Sequence, residues 1–318
     1  MRTHIQKTVV LGAGTMGAQL AAHLVAQGME VVLLDMAATG ERSALARRGI
    51  DGLRKLKPSP LHLAEHASSI RPGNFEDDWG ELRDADWVLE AVVEDLDVKR
   101  QLLARVAPAV TKSSVVTTNT SGLGIGALGS ALPADLRKRF LGTHFFNPPR
   151  YLKLLETIPG PDTDPAVLAA MEAFGEEVLG KGVVRCKDTP NFIGNRIGAY
   201  GFGVVLQAMM DLDFTLEEVD ALTGPAIGRA KSATFRTADI AGVDVCARVA
   251  ANIYPAVPHD PEREAFKVPG FVSAMVERKW LGEKTGGGFY RKEGGEIRTL
   301  DWKTLEYRER KKARFPSL

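Results

Sequence analysis

The residues best suited to chemistry fall in two places. Gly12-Ala13-Gly14-Thr15-Met16-Gly17 fits G-x-G-x-x-G, follows a short β-branched run, opens a helical pattern, and has Asp35 at the end of the next apolar run. In that setting Gly12 makes the turn, Gly14 lets a pyrophosphate approach the backbone, and Gly17 permits close packing of helix on strand. Amides at a helix start, here from Thr15 and Met16, favour phosphate oxygens, and Asp35 can accept hydrogen bonds from both ribose hydroxyls. A 2′-phosphate would meet that carboxylate with no arginine immediately following, so the pattern predicts NAD rather than NADP. The bland alternative is that the glycines only turn the chain. The second place is His144, the best set of six histidines, in Gly142-Thr143-His144-Phe145-Phe146-Asn147-Pro148. An imidazole titrating near neutral pH can take the hydroxyl proton of a secondary alcohol as hydride leaves. Glu156, on the next strand-like segment, is close enough for a hairpin-like return to bring it to the imidazole, fix the tautomer and stabilise the imidazolium. Taken singly, such a histidine is also an ordinary packed core residue and such a glutamate an ordinary surface charge.

These groups need a scaffold that gathers strand ends. Thr8 to Leu11, Glu30 to Asp35, Trp87 to Val92, Val115 to Thr118, Phe140 to Phe145, Leu154 to Ile158 and Val183 to Cys186 read as strands, most of them separated by helical patterns. This alternation predicts an α/β domain with a doubly wound, largely parallel sheet, its last strands open to antiparallel pairing. Pro58 to Asn74 is expected to be an excursion from that sheet. After Lys187 the pattern becomes helical, with segments at Asn191 to Met210, Leu216 to Thr223 and Phe271 to Trp280 and no good strand pattern. The Thr189-Pro190 step suits a connector, so the expected domains are 1–188 and a mainly α-helical 189–318 ending in a basic tail from Arg308 to Arg314.

Composition narrows the class. The 318 residues hold 41 lysines and arginines against 40 aspartates and glutamates, so nothing global draws the chain to nucleic acid or an anionic membrane. Cys186 and Cys246 lack the spacing of a metal site or redox dithiol, and no apolar run spans a bilayer, which together predict a cytoplasmic protein without a metal.

Thr118-Asn119-Thr120-Ser121, His144-Phe145-Phe146-Asn147-Pro148, Lys187-Asp188-Thr189-Pro190 with Phe192 and Asn195-Arg196, and Lys284-Thr285-Gly286 with Gly288-Phe289-Tyr290 resemble, in the same order, the 3-hydroxyacyl-CoA dehydrogenase family. Gly224 to Arg229 and Lys231 to Arg236 look most like bacterial fatty-acid β-oxidation proteins in which this part comes first and an enoyl-CoA hydratase part follows. The resemblance implies a Rossmann domain followed by a helical substrate and dimerisation domain, NAD as cofactor, an acyl-CoA substrate and a homodimer. It implies His144 as general base with Glu156 as partner, Ser121 and Asn195 at the reacting oxygen, and Asn147 at the thioester or the histidine loop. It also implies that Ala91, Glu94, Lys99, Asn119 and Lys284 line the cofactor. Without it, Glu94 reads as a cap, Lys99 and Lys284 as solvated charges, and Ser121, Asn119, Asn147 and Asn195 as turn or cap residues. One departure is Gly122, where the family pattern has a second serine; it is expected to add flexibility that reshapes the acyl pocket.

Arg54, Lys55 and Lys57 form a basic cluster suited to coenzyme A phosphates, or equally a solvated helix face. The function expected is oxidation of L-3-hydroxyacyl-CoA by NAD to 3-ketoacyl-CoA. The alternatives are a dehydrogenase of a free hydroxy acid or sugar acid and a non-catalytic NAD-binding homologue.

Overall fold

The computed structural model describes residues 5–316 and divides the chain into two compact units, 1–192 and 193–318. The first is built on an eight-stranded sheet of β1 (Lys7–Leu11), β2 (Glu30–Asp35), β3 (Ile70–Asn74), β4 (Trp87–Glu90), β5 (Val115–Thr118), β6 (Phe140–Phe145), β7 (Leu154–Pro159) and β8 (Gly182–Arg185). Its order is β3-β2-β1-β4-β5-β6-β7-β8, and every pairing is parallel except β6 with β7. Around it lie α1 (Thr15–Val25), α2 (Ala44–Leu53), α3 (Leu96–Val106), α4 (Ile125–Gly129), α5 (Ala134–Arg137) and α6 (Pro165–Glu177).

Both faces of the sheet are covered, and alternation along β1 shows how. Val10 packs with Leu20, Leu24, Leu33 and Phe174 on one side, while Val9 and Leu11 pack with Val32, Leu103 and Phe140 on the other. A strand with two buried faces reads as a continuous apolar run, which is why β2, β5 and β6 are visible in the sequence. β1 lies between β2 and β4, so the order in which successive strands are added reverses there and a crevice opens at the carboxyl ends of these parallel strands.

The structure corrects the reading of Pro58 to Asn74. Its last five residues are β3, the sheet's edge strand, preceded by a 3-10 turn at Ala64–Ser69. Pro72 and Gly73 disguise it, and an edge is where a sheet tolerates proline.

The second unit contains α7 (Gly194–Asp211), α8 (Leu216–Thr223), α9 (Phe235–Ala241), α10 (Val243–Ala256) and α11 (Gly270–Glu277). Leu206, Met209, Phe235, Met275 and Phe289 form its core. The helix expected from Asn191 begins only at Gly194, because Asn191 and Phe192 have φ of 56° and 51°. This unit also has strands that the sequence did not suggest: β9 (Tyr290–Glu293), β10 (Glu296–Asp301) and β11 (Glu306–Glu309) form an antiparallel sheet. Gly294 and Gly295, with φ of 60° and 90°, make the first turn. Arg308, expected in a basic tail, sits in β11 with its guanidinium on both oxygens of Glu217 at 2.8 Å.

Candidate active site

The glycine turn is built by close backbone approaches. Gly12 (φ 102°) donates to the Leu34 carbonyl at 2.7 Å, and a Cβ on it would lie 2.7 Å from the Ala91 carbonyl oxygen. A Cβ on Gly17 would lie 1.8 Å from the Gly12 carbonyl oxygen, so no side chain fits where α1 meets the turn. Gly14 differs, because a Cβ there would meet nothing within 4 Å. Open space beside Gly14, at a helix start with no side-chain cap and no acidic residue in the first turn made by Thr15 and Met16, is what a diphosphate requires. Asp35 closes the turn on the β2 side: one carboxylate oxygen accepts from the Ala13 amide at 2.6 Å and the other from the Met36 amide at 2.7 Å. Arg42, the first arginine after Asp35, is held by Asp77 and offers no partner for a 2′-phosphate. These residues fit NAD.

At the neighbouring strand ends a buried charge network fixes the loops. Glu90, fully buried at the end of β4, accepts from Lys99 Nζ at 2.6 Å, the Val92 amide at 2.7 Å and Thr118 Oγ1 at 2.5 Å. Lys99 is therefore not a solvated charge, since its ammonium is buried against Glu90 and 3.4 Å from Glu94. Glu94 gathers the loop after β5, accepting from Thr120 Oγ1 at 2.6 Å, the Ser121 amide at 2.7 Å and the Gly122 amide at 3.2 Å. Asn119 ties that loop to β6 by accepting from the Phe145 amide at 2.9 Å. Glu90 escaped the sequence reading; its only signal was a charge ending the apolar run Trp87-Val88-Leu89 ahead of Lys99.

His144 and Glu156 face each other across the one antiparallel pairing of the sheet. Nδ1 of His144 lies 2.7 Å from Glu156 Oε2, and both side chains are buried. The hairpin-like return expected from spacing is the β6–β7 register itself. Phe146 and Phe192 flank the imidazole, with ring centroids at 4.4 and 5.9 Å. Asn147 Oδ1 accepts from Gln19 Nε2 of α1 at 2.9 Å, linking the histidine loop to the helix that starts at the glycine turn. Buried Lys181 donates to the Pro149 and Leu152 carbonyls of that loop, and burial pushes its ammonium down to about 8.

The space beside Gly122 is occupied. A Cβ on it would lie 2.3 Å from Asn191 Oδ1, so the place of a second serine is filled by a neighbouring carboxamide. Lys55 and Lys57 are exposed just beyond the end of α2. The loop after them is bound to the β6–β7 loop by Arg150, on the carbonyls of Ser59 and Leu61, and by Tyr151, on Ser59 at 2.8 Å. Asn195 and Lys284 belong to the second unit, where Asn195 lies in the first turn of α7 and Lys284 Nζ is 2.5 Å from Asp244.

Comparison with known proteins decides the family. Residues 7–189 match the sequence model of the 3-hydroxyacyl-CoA dehydrogenase NAD binding domain, and residues 192–292 that of the 3-hydroxyacyl-CoA dehydrogenase C-terminal domain. The chain belongs to the 3-hydroxyacyl-CoA dehydrogenase family. A Bacillus subtilis protein named "Probable 3-hydroxyacyl-CoA dehydrogenase" is 48% identical over 334 residues, covering 100% of this chain and 42% of its own length. A Deinococcus radiodurans protein of the same name is 44% identical over 290 residues, covering 91% of this chain and 83% of its own. The crystal structure of (S)-3-hydroxybutyryl-CoA dehydrogenase from Ralstonia eutropha matches with a TM-score of 0.74 at 26% identity, over 89% of this chain and 98% of that one. The chain thus spans less than half the length of the Bacillus relative. The matched NAD binding domain contains the whole eight-stranded sheet, so the dinucleotide is NAD.

Proposed function

We propose that the protein oxidises the 3-hydroxyl of an L-3-hydroxyacyl-CoA to give 3-ketoacyl-CoA. The observation that carries this reading is the buried His144–Glu156 pair at strand ends of the sheet that also bears the glycine turn. NAD, when bound, accepts the hydride. Gly12 and Gly17 close the turn, Gly14 would leave room for its diphosphate, the Thr15 and Met16 amides would receive the phosphates, Asp35 would take the ribose hydroxyls, and Ala91, Glu94, Lys99, Asn119 and Lys284 would complete or support its surroundings.

The chain's own contribution to the step is acid–base. Glu156 holds Nδ1 of His144 as the protonated nitrogen, which leaves Nε2 to take the hydroxyl proton, and the carboxylate then stabilises the imidazolium. Ser121 and Asn195 bind the reacting oxygen, and Asn147 holds the histidine loop. Lys55 and Lys57 take the coenzyme A phosphates; their support is their exposure and the ties of the following loop to the one that carries Asn147.

The same reading includes a homodimer, supported by Ile197, Tyr200 and Val204, exposed at helical spacing along α7. It also includes an associated or continuing enoyl-CoA hydratase part, in keeping with the extra length of the Bacillus relative. The expected location is the cytoplasm, where Cys186 and Cys246 would stay reduced thiols. No described helix is long and apolar enough to cross a membrane. NADH formation from L-3-hydroxyacyl-CoAs and from the matching free acids tests the substrate class. Turnover confined to the thioesters is expected, and turnover of free acids alone would replace this reading with that of a hydroxy-acid dehydrogenase.

A further inference from the structure

Asn191 occupies a position that backbone geometry would give to glycine. Its φ of 56° lies in the left-handed region, and Phe192 follows at 51°. The segment is held there from outside: Asp188 accepts from the Ile125 and Gly126 amides at 2.8 Å each, and the Cys186 amide donates to the Thr157 carbonyl at 2.8 Å. Asparagine tolerates this conformation better than most residues, so a side chain is kept where none is cheapest.

That side chain is 4% exposed, yet its carboxamide has no hydrogen-bond partner among the described residues. Its polar atoms are nevertheless not fully enclosed. Across from it Gly122 has no positive φ, and its backbone would accept any residue; a Cβ there would lie 2.3 Å from Asn191 Oδ1 and 3.1 Å from Cγ, so a side chain at 122 and the carboxamide in its present place are mutually exclusive. One position bears backbone strain to hold an amide, and the other surrenders its side chain to make room. Such paired concessions, beside Ser121 and the Phe192 ring that flanks His144, point to a ligand.

We propose that the Asn191 carboxamide contacts the substrate, donating through Nδ2 to the thioester carbonyl of the 3-hydroxyacyl group and replacing the side chain missing from Gly122. This rests on the 3-hydroxyacyl-CoA reading given above. With the 3-oxygen engaged by His144, the thioester carbonyl is the other oxygen near the reacting carbon.

The test is steady-state kinetics on the intact protein, with NAD affinity and thermal stability measured alongside. Asn191→Gly relieves the backbone, so its melting temperature is expected to hold or rise, while KM for acyl-CoA rises about five- to tenfold and NAD affinity is unchanged. Asn191→Asp keeps the shape and removes the donor, with at least the same loss. Gly122→Ser displaces the amide and raises KM, and Gly122→Ser with Asn191→Gly recovers most of that loss. Unchanged acyl-CoA kinetics in Asn191→Gly, or a double variant no better than Gly122→Ser, would overturn the proposal. A wild-type protein active only on free acids would instead fault the thioester reading beneath it, and with it the assignment of the carbonyl.

Discussion

Replacing Glu156 by glutamine probes the acid–base pair while preserving its shape. Oε2 lies 2.7 Å from His144 Nδ1 and both side chains are buried, so the carboxylate acts on any charge that develops on the ring with little screening. Taking the charge centres as roughly 4 Å apart at an effective dielectric of about 20, the attraction is about 4 kcal/mol. Lost only in the transition state, where the imidazolium forms, this corresponds to roughly a thousandfold in rate. Glutamine can still accept from Nδ1–H but also presents an amide donor, which permits the wrong tautomer. Glu156→Gln should therefore lower kcat for NADH formation by about two to three orders of magnitude, with the NAD dissociation constant unchanged by fluorescence titration. A folded variant retaining kcat within about fivefold of wild type would refute the assignment of Glu156 as the partner on which His144 depends.

Three further outcomes follow from the geometry. Asp35→Ala removes a charged acceptor from the ribose site and should raise KM for NAD by at least about tenfold while narrowing the preference over NADP, read from initial rates with each cofactor; an unchanged NAD/NADP ratio would reject the role of Asp35. Lys55→Glu with Lys57→Glu should raise KM for acyl-CoA, more at low salt than at high, and leave NAD affinity intact; unchanged KM at low salt would dismiss the coenzyme A role. Burial pushes the His23 imidazole down from 6.5 to about 4. Between those values the unfolded chain binds a proton that the native protein does not, so stability is full above the upper value and falls as pH is lowered, by about 3 kcal/mol in all. His23→Leu should blunt the drop in melting temperature between about pH 7.5 and about pH 4.5, and an unaltered drop would show that His23 does not carry this acid sensitivity.

How much of this was legible in the sequence depended on how far apart in the chain the interacting residues lie. β2, β5 and β6 have the bounds that their apolar runs suggest, because a strand buried on both faces leaves no polar alternation to misread. β3 was hidden by Pro72 and Gly73, residues that normally argue against a strand and are tolerated here at the edge. β9 to β11 escaped notice because charged residues such as Arg291, Lys292, Glu293 and Glu296 dominate half-exposed strands. At the site, local patterns sufficed for the glycine turn, and a short hairpin return sufficed to suggest His144 with Glu156. The role of Glu90 beneath Lys99 and the displacement of a Gly122 side chain by Asn191 depend on packing between separate segments, which periodicity does not encode. The Gly122 departure was visible as a departure, but its cause lay in a left-handed backbone elsewhere in the chain.

The central claim, that His144 takes the proton of a 3-hydroxyacyl thioester, is tested most directly by comparing wild type and His144→Ala on a panel of L-3-hydroxyacyl-CoAs with NAD in excess, following NADH. Turnover by wild type, a loss of at least about a thousandfold in the variant and unaltered NAD binding are the predicted result. Comparable kcat in the two proteins, or wild type that binds NAD but turns over no thioester, would contradict it.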